Sequence, residues 1–267
     1  TMTNEKFHNL FGQKPRDPKN EKITQFHMDI AASIQKVTEE IMIKLAKAIR
    51  QEYNINNLCL AGGVALNCVA NGKILQEKIF DNIWIQPAAG DAGGAIGSAL
   101  AVWHMFFKKR RIINKDDSMK GGFLGPSFKR EEILKCLNML GANYDDLNIN
   151  KMITKTATAI SKGKAVGWFQ GKMEFGPRSL GSRSILADPR NKSMQKNLNL
   201  KIKYRESFRP FAPSVLEEDV SLWFEFAEKS PYMLFVANVE SSKVLKKISN
   251  EKKNDINAIR SLIPAVT

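Results

Sequence analysis

An α/β fold is predicted for this 267-residue chain, and three observations predict it. Two short apolar segments, Leu58-Cys59-Leu60-Ala61 and Ile83-Trp84-Ile85, each run into a glycine-rich turn and then into a helical pattern. Strand, tight turn and helix in tandem describe an open sheet with its ligand at the carboxyl ends of the strands. Ahead of them, Phe26, Ile30, Ile34, Val37, Ile41, Leu45 and Ile49 recur at three- and four-residue spacing, the period of a long amphipathic helix.

Residues 1–23 read as a polar lead-in broken by Pro15 and Pro18. Thr24 or an earlier polar residue is a candidate cap for the long helix, and His27, close to the helix start, is assigned a structural role. The first strand leads into Gly62-Gly63-Val64-Ala65-Leu66-Asn67 and a helix to about Lys78. A glycine pair there lets backbone N–H groups and a helix N-terminus approach phosphate or ribose, although glycines also end strands where no ligand binds. The second strand passes through Gln86–Ala89 into Gly90-Asp91-Ala92-Gly93-Gly94-Ala95, read as a turn before a small-residue helix, Ile96–Phe107. Asp91 suits a cation, or the metal of a metal–nucleotide pair, and equally suits capping that helix.

Lys108–Ser118 is read as a charged linker and domain boundary, dividing residues 1–117 from 118–267. Beyond Gly121-Gly122-Phe123-Leu124-Gly125-Pro126, helices are expected over Lys129–Leu140 and Lys151–Lys162, then a buried strand over Ala165–Phe169. A helix is expected over Glu217–Ala227, a strand over Tyr232–Val239 and a polar, mobile segment over Ser241–Asn257. The chain reaches Ile263–Thr267 with no closing element expected.

The stretch Gly167–Leu216 is chemically the densest. Gly171, Gly176 and Gly181 allow close backbone approach, and Lys172, Arg178, Arg183, Arg190, Lys201, Lys203, Arg205 and Arg209 supply donors for phosphate or carboxylate. Aromatic residues and prolines, Trp168 to Pro213, alternate with the basic ones and would pin these loops to a scaffold, which a solvated basic tail would not need. From Lys151 to Arg209 there are 14 basic residues and three acidic ones, so the net charge of +14 is concentrated here. Such a field attracts nucleotide, acyl phosphate or nucleic acid alike.

Hydrophobic residues make up 43% of the chain, no span of ~20 apolar residues is present, and the N-terminal stretch lacks the apolar core of a signal peptide. A cytoplasmic protein without membrane partners is expected. Cys59, Cys68 and Cys136 are odd in number and unlike a zinc pair in spacing, so reduced thiols are expected.

Four motifs, LCLAGGVALNCVANGKIL, NIWIQPAAGDAGGAIGSALAVWH, GWFQGKMEFGPRSLGSRSILADPR and NLKIKYRESFRPFAPSVL, occur in this order. Together they resemble the C-terminal part of the ATP-dependent O-carbamoyltransferases of NodU/TobZ type, over nearly the whole chain from about Lys22. The family pattern is GPRALGARS or similar, with Ser179 and Ser182 here in place of alanines. The resemblance implies the C-terminal half of an actin-like ATPase (ASKHA) domain in residues 1–117 and a YrdC-like α/β domain in 118–267, both incomplete. It implies that carbamoyl phosphate and ATP form carbamoyl adenylate with release of pyrophosphate, and that the carbamoyl group passes to a hydroxyl of a sugar or natural-product acceptor.

Carried over by motif, Gly62, Gly63 and Asn67 would hold the adenosine moiety, and Gly90, Gly93 and Gly94 would form the second phosphate-proximal turn. Asp91 matches a ligand of a divalent metal, Fe or Mg, whose other ligands, an HxxxH pair, have no counterpart in His8, His27 and His104. Lys172, Arg178, Arg183, Arg205 and Arg209 would hold carbamoyl phosphate and the ATP phosphates. The chain is expected to be a fragment whose uncovered helix faces favour self-association, a homodimer included. Two other readings remain: a non-catalytic nucleotide- or RNA-binding module, and threonylcarbamoyl-type tRNA modification. Nucleic acid is not the expected partner.

Overall fold

The computed structural model describes residues 3–114, 116–226, 228–245 and 258–267. The lead-in contains a short helix, α1 (Glu5–Phe11), started by the Asn4 side chain accepting from the Phe7 N–H and ended by Gly12 at φ 71°. Helix α2 spans Gln25–Tyr53. Thr24 is its cap residue, and His27 is structural as expected: its Nδ1 accepts from the Thr24 N–H at 3.1 Å.

Strands β1 (Asn57–Leu60) and β2 (Asn82–Ile85) pair in parallel, Asn57 opposite Asn82 through Leu60 opposite Ile85, with helix α3 (Cys68–Gln76) between them in sequence. Ala46, Leu58, Ile74 and Phe80 form the core between α2, β1 and α3, joined by Met42 and Ile43. The apolar stripe seen in the sequence is not the packed face of α2. Ile34 (62% exposed), Ile41 (52%) and Leu45 (58%) point outward, while the neighbouring face carrying Gln35, Glu39, Met42 and Ala46 turns inward. Polar pairing decides this: Lys73 binds the buried Glu39 carboxylate, and the side-chain amides of Gln35 and Asn67 hydrogen-bond reciprocally at 3.0 and 3.2 Å. The Lys73 ammonium, followed by the Gln35 amide, holds the Glu39 carboxyl below its ordinary range despite burial.

Helix α4 (Asp91–Ala101) starts five residues before its expected position and continues into a wider turn, Val102–Phe106. Gly93 and Gly94 therefore lie inside the helix, not in a turn before it. Close packing explains the early start, because Gly93 sits against the Ala88 carbonyl where no side chain fits.

The second half contains α5 (Arg130–Met139), α6 (Ile149–Ser161) and an antiparallel pair, β3 (Val166–Phe169) with β4 (Arg183–Leu186). Strand β3 is not buried as expected, and Phe169 is 60% exposed, since β3 and β4 form a two-stranded pair and the Phe169 ring meets only the Arg183 and Phe128 side chains among the described residues. Helix α7 is short (Met194–Leu198), and Met194, Leu198 and Ala265 form a core with Ile185, Ala187 and Phe211. The C-terminal residues thus do close the structure: Ala265 donates to the Pro189 carbonyl and accepts from the Phe211 N–H.

Two expectations near the end of the chain fail. The helix over Glu217–Ala227 reduces to one turn, Glu217–Asp219, and α8 (Val220–Trp223), because Phe224 becomes extended to bridge Val239. Residue 227 lies outside the described residues. No strand forms over Tyr232–Val239; Met233 at φ 54° breaks the extended run, and the Leu234 carbonyl accepts from the Asn71 side chain rather than from a strand. Of the segment expected to be mobile, residues 241–245 are described and begin with a helical turn, Ser241–Lys243; residues 246–257 lie outside the described residues.

Tyr232 and Leu234 join Ala65, Ile85, Ala89 and Met119 in a core that spans both halves of the chain. The Tyr232 hydroxyl donates to Asp117 and accepts from the Gly121 N–H at 3.0 Å. Burial, then the Asp117 carboxylate, pushes the phenol up from 10.0 to about 12. A raised folded-state value means that this contribution is complete below pH 10 and is lost as pH rises towards 12. A loss of about 2–3 kcal/mol over that window is expected in denaturant titrations, and Tyr232→Phe should remove this component.

Candidate functional site

The two glycine-rich turns meet at the C-terminal end of the parallel pair. Gly62 at φ 101°, a conformation that needs glycine, donates its N–H to the Ala89 carbonyl at 2.8 Å and so ties the turn after β1 to the turn after β2. Gly63 opens a helical turn, Gly63–Leu66, and Asn67 caps α3 by accepting from the Ala70 N–H. Gly90 caps α4, with Leu66 Cδ1 3.4 Å from where its Cβ would stand, and Gly94 is open to solvent on the first turns of that helix. Asp91 is exposed in the first turn of α4, where its charge complements the helix N-terminus.

Among the described residues no three His, Cys, Asp or Glu side chains come together as metal ligands. Asp91 is therefore not part of such a group among the described residues.

The basic stretch reaches these turns through the connection between β3 and β4. This loop is pinned at its neck, where the Gln170 N–H donates to the Ser182 carbonyl and Arg183 donates to the carbonyls of Gln170 and Gly171 while lying 3.4 Å over the Phe169 ring. Segment 122–126 pairs alongside it, Phe175 N–H to Gly122 O and Gly125 N–H to Met173 O. Its tip rests on the second turn: a Cβ on Gly176 would lie 3.3 Å from that of Ala88. Arg178 lies beside the first turn, Nη2 donating to the Leu66 carbonyl at 3.0 Å. Its Nε is buried without a hydrogen-bond partner, and among the described residues no carboxylate pairs with it. A half-buried guanidinium so placed can pair with an anion, because burying an unpaired charge is costly.

The other predicted basic residues are placed differently. Lys172 is exposed on the same loop and makes no hydrogen bond or ion pair among the described residues. The Arg183 contacts are those of the loop neck. Arg205 and Arg209 belong to a second loop organised by the fully buried Asn199, whose amide donates to the Ser207 and Arg209 carbonyls and whose Oδ1 accepts from Arg205 Nε. Arg205 also lies over the Phe211 ring, and Arg209 pairs with Glu206 at 2.8 Å. Asn199→Leu leaves these partners unsatisfied, and a stability loss of about 2–3 kcal/mol is expected in urea denaturation.

Glu174 was not singled out in the sequence, although it is one of only three acids between Lys151 and Arg209. It is buried, and one oxygen accepts from the N–H groups of Leu180 and Ser182, both at 2.8 Å, and of Arg183 at 3.3 Å. Burial alone would push its carboxyl up, but these backbone donors outweigh burial and hold it below its ordinary range.

Two segments of the chain match models of known families. Residues 1–100 match the family model of the carbamoyltransferase N-terminus, and residues 157–267 match that of the carbamoyltransferase C-terminus. The chain belongs to the carbamoyltransferase family. It is 53% identical over 273 residues to an uncharacterized protein of Synechocystis sp., covering 100% of this chain and 44% of the relative. Nodulation protein NolO of Bradyrhizobium diazoefficiens is 40% identical over 224 residues, 82% of this chain and 40% of the relative. Nodulation protein U of Rhizobium tropici is 32% identical over 213 residues, 78% of this chain and 34% of the relative. The chain thus spans less than half the length of these relatives. Among the described residues no helix is long and apolar enough to cross a membrane.

Proposed function

We propose that this chain is part of an O-carbamoyltransferase that activates carbamoyl phosphate with ATP as carbamoyl adenylate and passes the carbamoyl group to a hydroxyl of a sugar or natural-product acceptor. In this reading residues 1–117 belong to an actin-like (ASKHA) domain and residues 118–267 to a YrdC-like domain. The observation that carries it is Arg178, a half-buried guanidinium held beside the two glycine-rich turns with no carboxylate partner among the described residues. An anionic ligand there gains a charge-assisted partner and nearby glycine backbone that it can approach closely.

The chemistry asks for such a group. With carbamate supplied by hydrolysis of carbamoyl phosphate, which releases phosphate, forming the adenylate joins a carbamate oxygen to the ATP α-phosphorus and expels pyrophosphate. AMP then leaves when the acceptor hydroxyl attacks the carbamoyl carbon and gives up its proton. Both steps shift negative charge among phosphoryl oxygens, which fixed cations stabilise without reorganising. Arg178 and Lys172 are the residues assigned to the phosphoryl groups, while Arg183, Arg205 and Arg209 shape the loops around them and add to the positive field. Gly62, Gly63 and Asn67 are assigned to the nucleotide, with Gly90 and the first turn of α4, which carries Gly93 and Gly94, opposite. Asp91 is available to a divalent metal together with further ligands, largely from outside this chain.

The test incubates the intact protein with ATP, carbamoyl phosphate and a panel of hydroxyl acceptors. A product heavier by one carbamoyl group in place of a hydrogen supports the reading. Bound ATP with no carbamoylated product from any acceptor class counts against it. A basic module that holds RNA instead would bind it with an affinity falling steeply as salt is added.

A further inference from the structure

Glu174 takes no part in the chemistry just described, yet it is the buried acid at the centre of the loop that carries Arg178. Among the described residues it has no cation partner; its hydrogen bonds come from backbone N–H groups of Leu180, Ser182 and Arg183. Those donors lie on the returning limb of the loop, whereas Glu174 lies on the outgoing limb. One carboxylate oxygen therefore cross-links the two limbs. Arg178 lies on the arc between them, which turns at Gly176 (φ 117°), with a second glycine at positive φ, Gly181 (φ 108°), between two donors on the returning limb. Cutting the cross-link frees both glycines as hinges, so the guanidinium would meet the Leu66 carbonyl for only part of the time.

We propose that Glu174 is a positioning residue. Its carboxylate acts solely on the loop backbone and thereby sets the Arg178 guanidinium at the junction of the two glycine-rich turns, ready for a phosphate-bearing ligand. The inference rests on the proposed function only for the identity of that ligand. Hydrogen bonds to an ionised carboxylate are the stronger kind, and an amide oxygen at the same place keeps the geometry with less charge. Glu174→Gln should therefore lie between the wild type and Glu174→Ala. Apparent affinity falls in proportion to the fraction of molecules whose arginine is in place.

The test has two arms on the intact protein. The first needs no ligand: NMR hydrogen exchange of the backbone amides of residues 180, 182 and 183, and of the Arg178 Nε–H, identified by its absence in Arg178→Ala. Glu174→Ala should speed exchange at all four sites by about tenfold or more, and Glu174→Gln by less. If Glu174→Ala fails to fold, Glu174→Gln decides this arm. Unchanged protection of the Arg178 Nε–H in a folded variant overturns the proposal.

The second arm measures the Kd for ATP in the presence of carbamoyl phosphate. Glu174→Ala should weaken binding by up to the loss seen in Arg178→Ala, and the double variant should be no weaker than Arg178→Ala alone. Additive losses overturn the proposal, because they mean that Glu174 acts other than through Arg178. If ATP does not bind the wild type, the ligand assignment fails and the exchange arm still decides the role of Glu174.

Discussion

Arg178→Ala in the intact protein is expected to slow carbamoyl-phosphate-dependent release of pyrophosphate from ATP by about 10²–10³-fold, the usual effect of removing one fixed donor from a site where charge shifts. Arg178 earns this weight by placement rather than by charge alone. Its Nη2 rests on the Leu66 carbonyl, its Nε is buried without a partner, and no carboxylate among the described residues neutralises it. Arg178→Lys keeps the charge and loses the planar fork, so it should recover only part of the rate. Arg190→Ala is the matched control. Arg190 chelates Asp188 through Nε and Nη2 on the other limb of the basic stretch, so its removal should leave pyrophosphate release close to that of the wild type. Equal rates for Arg178→Ala and the wild type would remove Arg178 from the site.

Gly93→Ala carries the second large effect, this time on stability. A Cβ at Gly93 would stand 2.2 Å from the Ala88 carbonyl oxygen, which is backbone and has no rotamer by which to retreat. Helix α4 would have to move off the turn after β2, the turn that also receives the Gly62 hydrogen bond and the Gly176 contact. A loss of about 2–3 kcal/mol in denaturant unfolding is expected, in the range for overpacking. Nucleotide binding should weaken with it. Gly94→Ala is the internal comparison: it is the next residue of the same helix, and nothing lies within 4 Å of its Cβ position. That change should be neutral or should stabilise by up to about 1 kcal/mol through helix propensity. Equal stabilities for the two variants would show that α4 does not rest on Ala88.

Much of the first half was legible because its signals are local. Thr24 and His27 at the start of α2, the two parallel strands and the glycine turns after them follow from period, caps and breakers within a few residues. The early start of α4 was not legible, since it depends on Gly93 meeting Ala88. Nor was the outward stripe of α2: Ile34, Ile41 and Leu45 look like a core face, but the ion pair of Glu39 with Lys73 and the amide pair of Gln35 with Asn67 turn the adjacent face inward. The short α8 and the absent strand over Tyr232–Val239 fail for the same kind of reason, as backbone groups there found partners far away in sequence.

The candidate site divides along the same line. The sequence alone determined which residue types are present and their order: two glycine turns, a basic loop rich in glycine and arginine, and the four motifs that identify the carbamoyltransferase family. It also placed Arg178 among several equivalent-looking basic residues. Tertiary structure decided between them. It secured Arg183 to the loop neck, Arg205 to Asn199 and Arg209 to Glu206, and it left Arg178 beside the turns with no carboxylate partner among the described residues. It also assigned Glu174 to the backbone of that loop. The physical reason is that charge and donor capacity are properties of a side chain, whereas whether they are already satisfied depends on which distant groups the fold brings within hydrogen-bond reach.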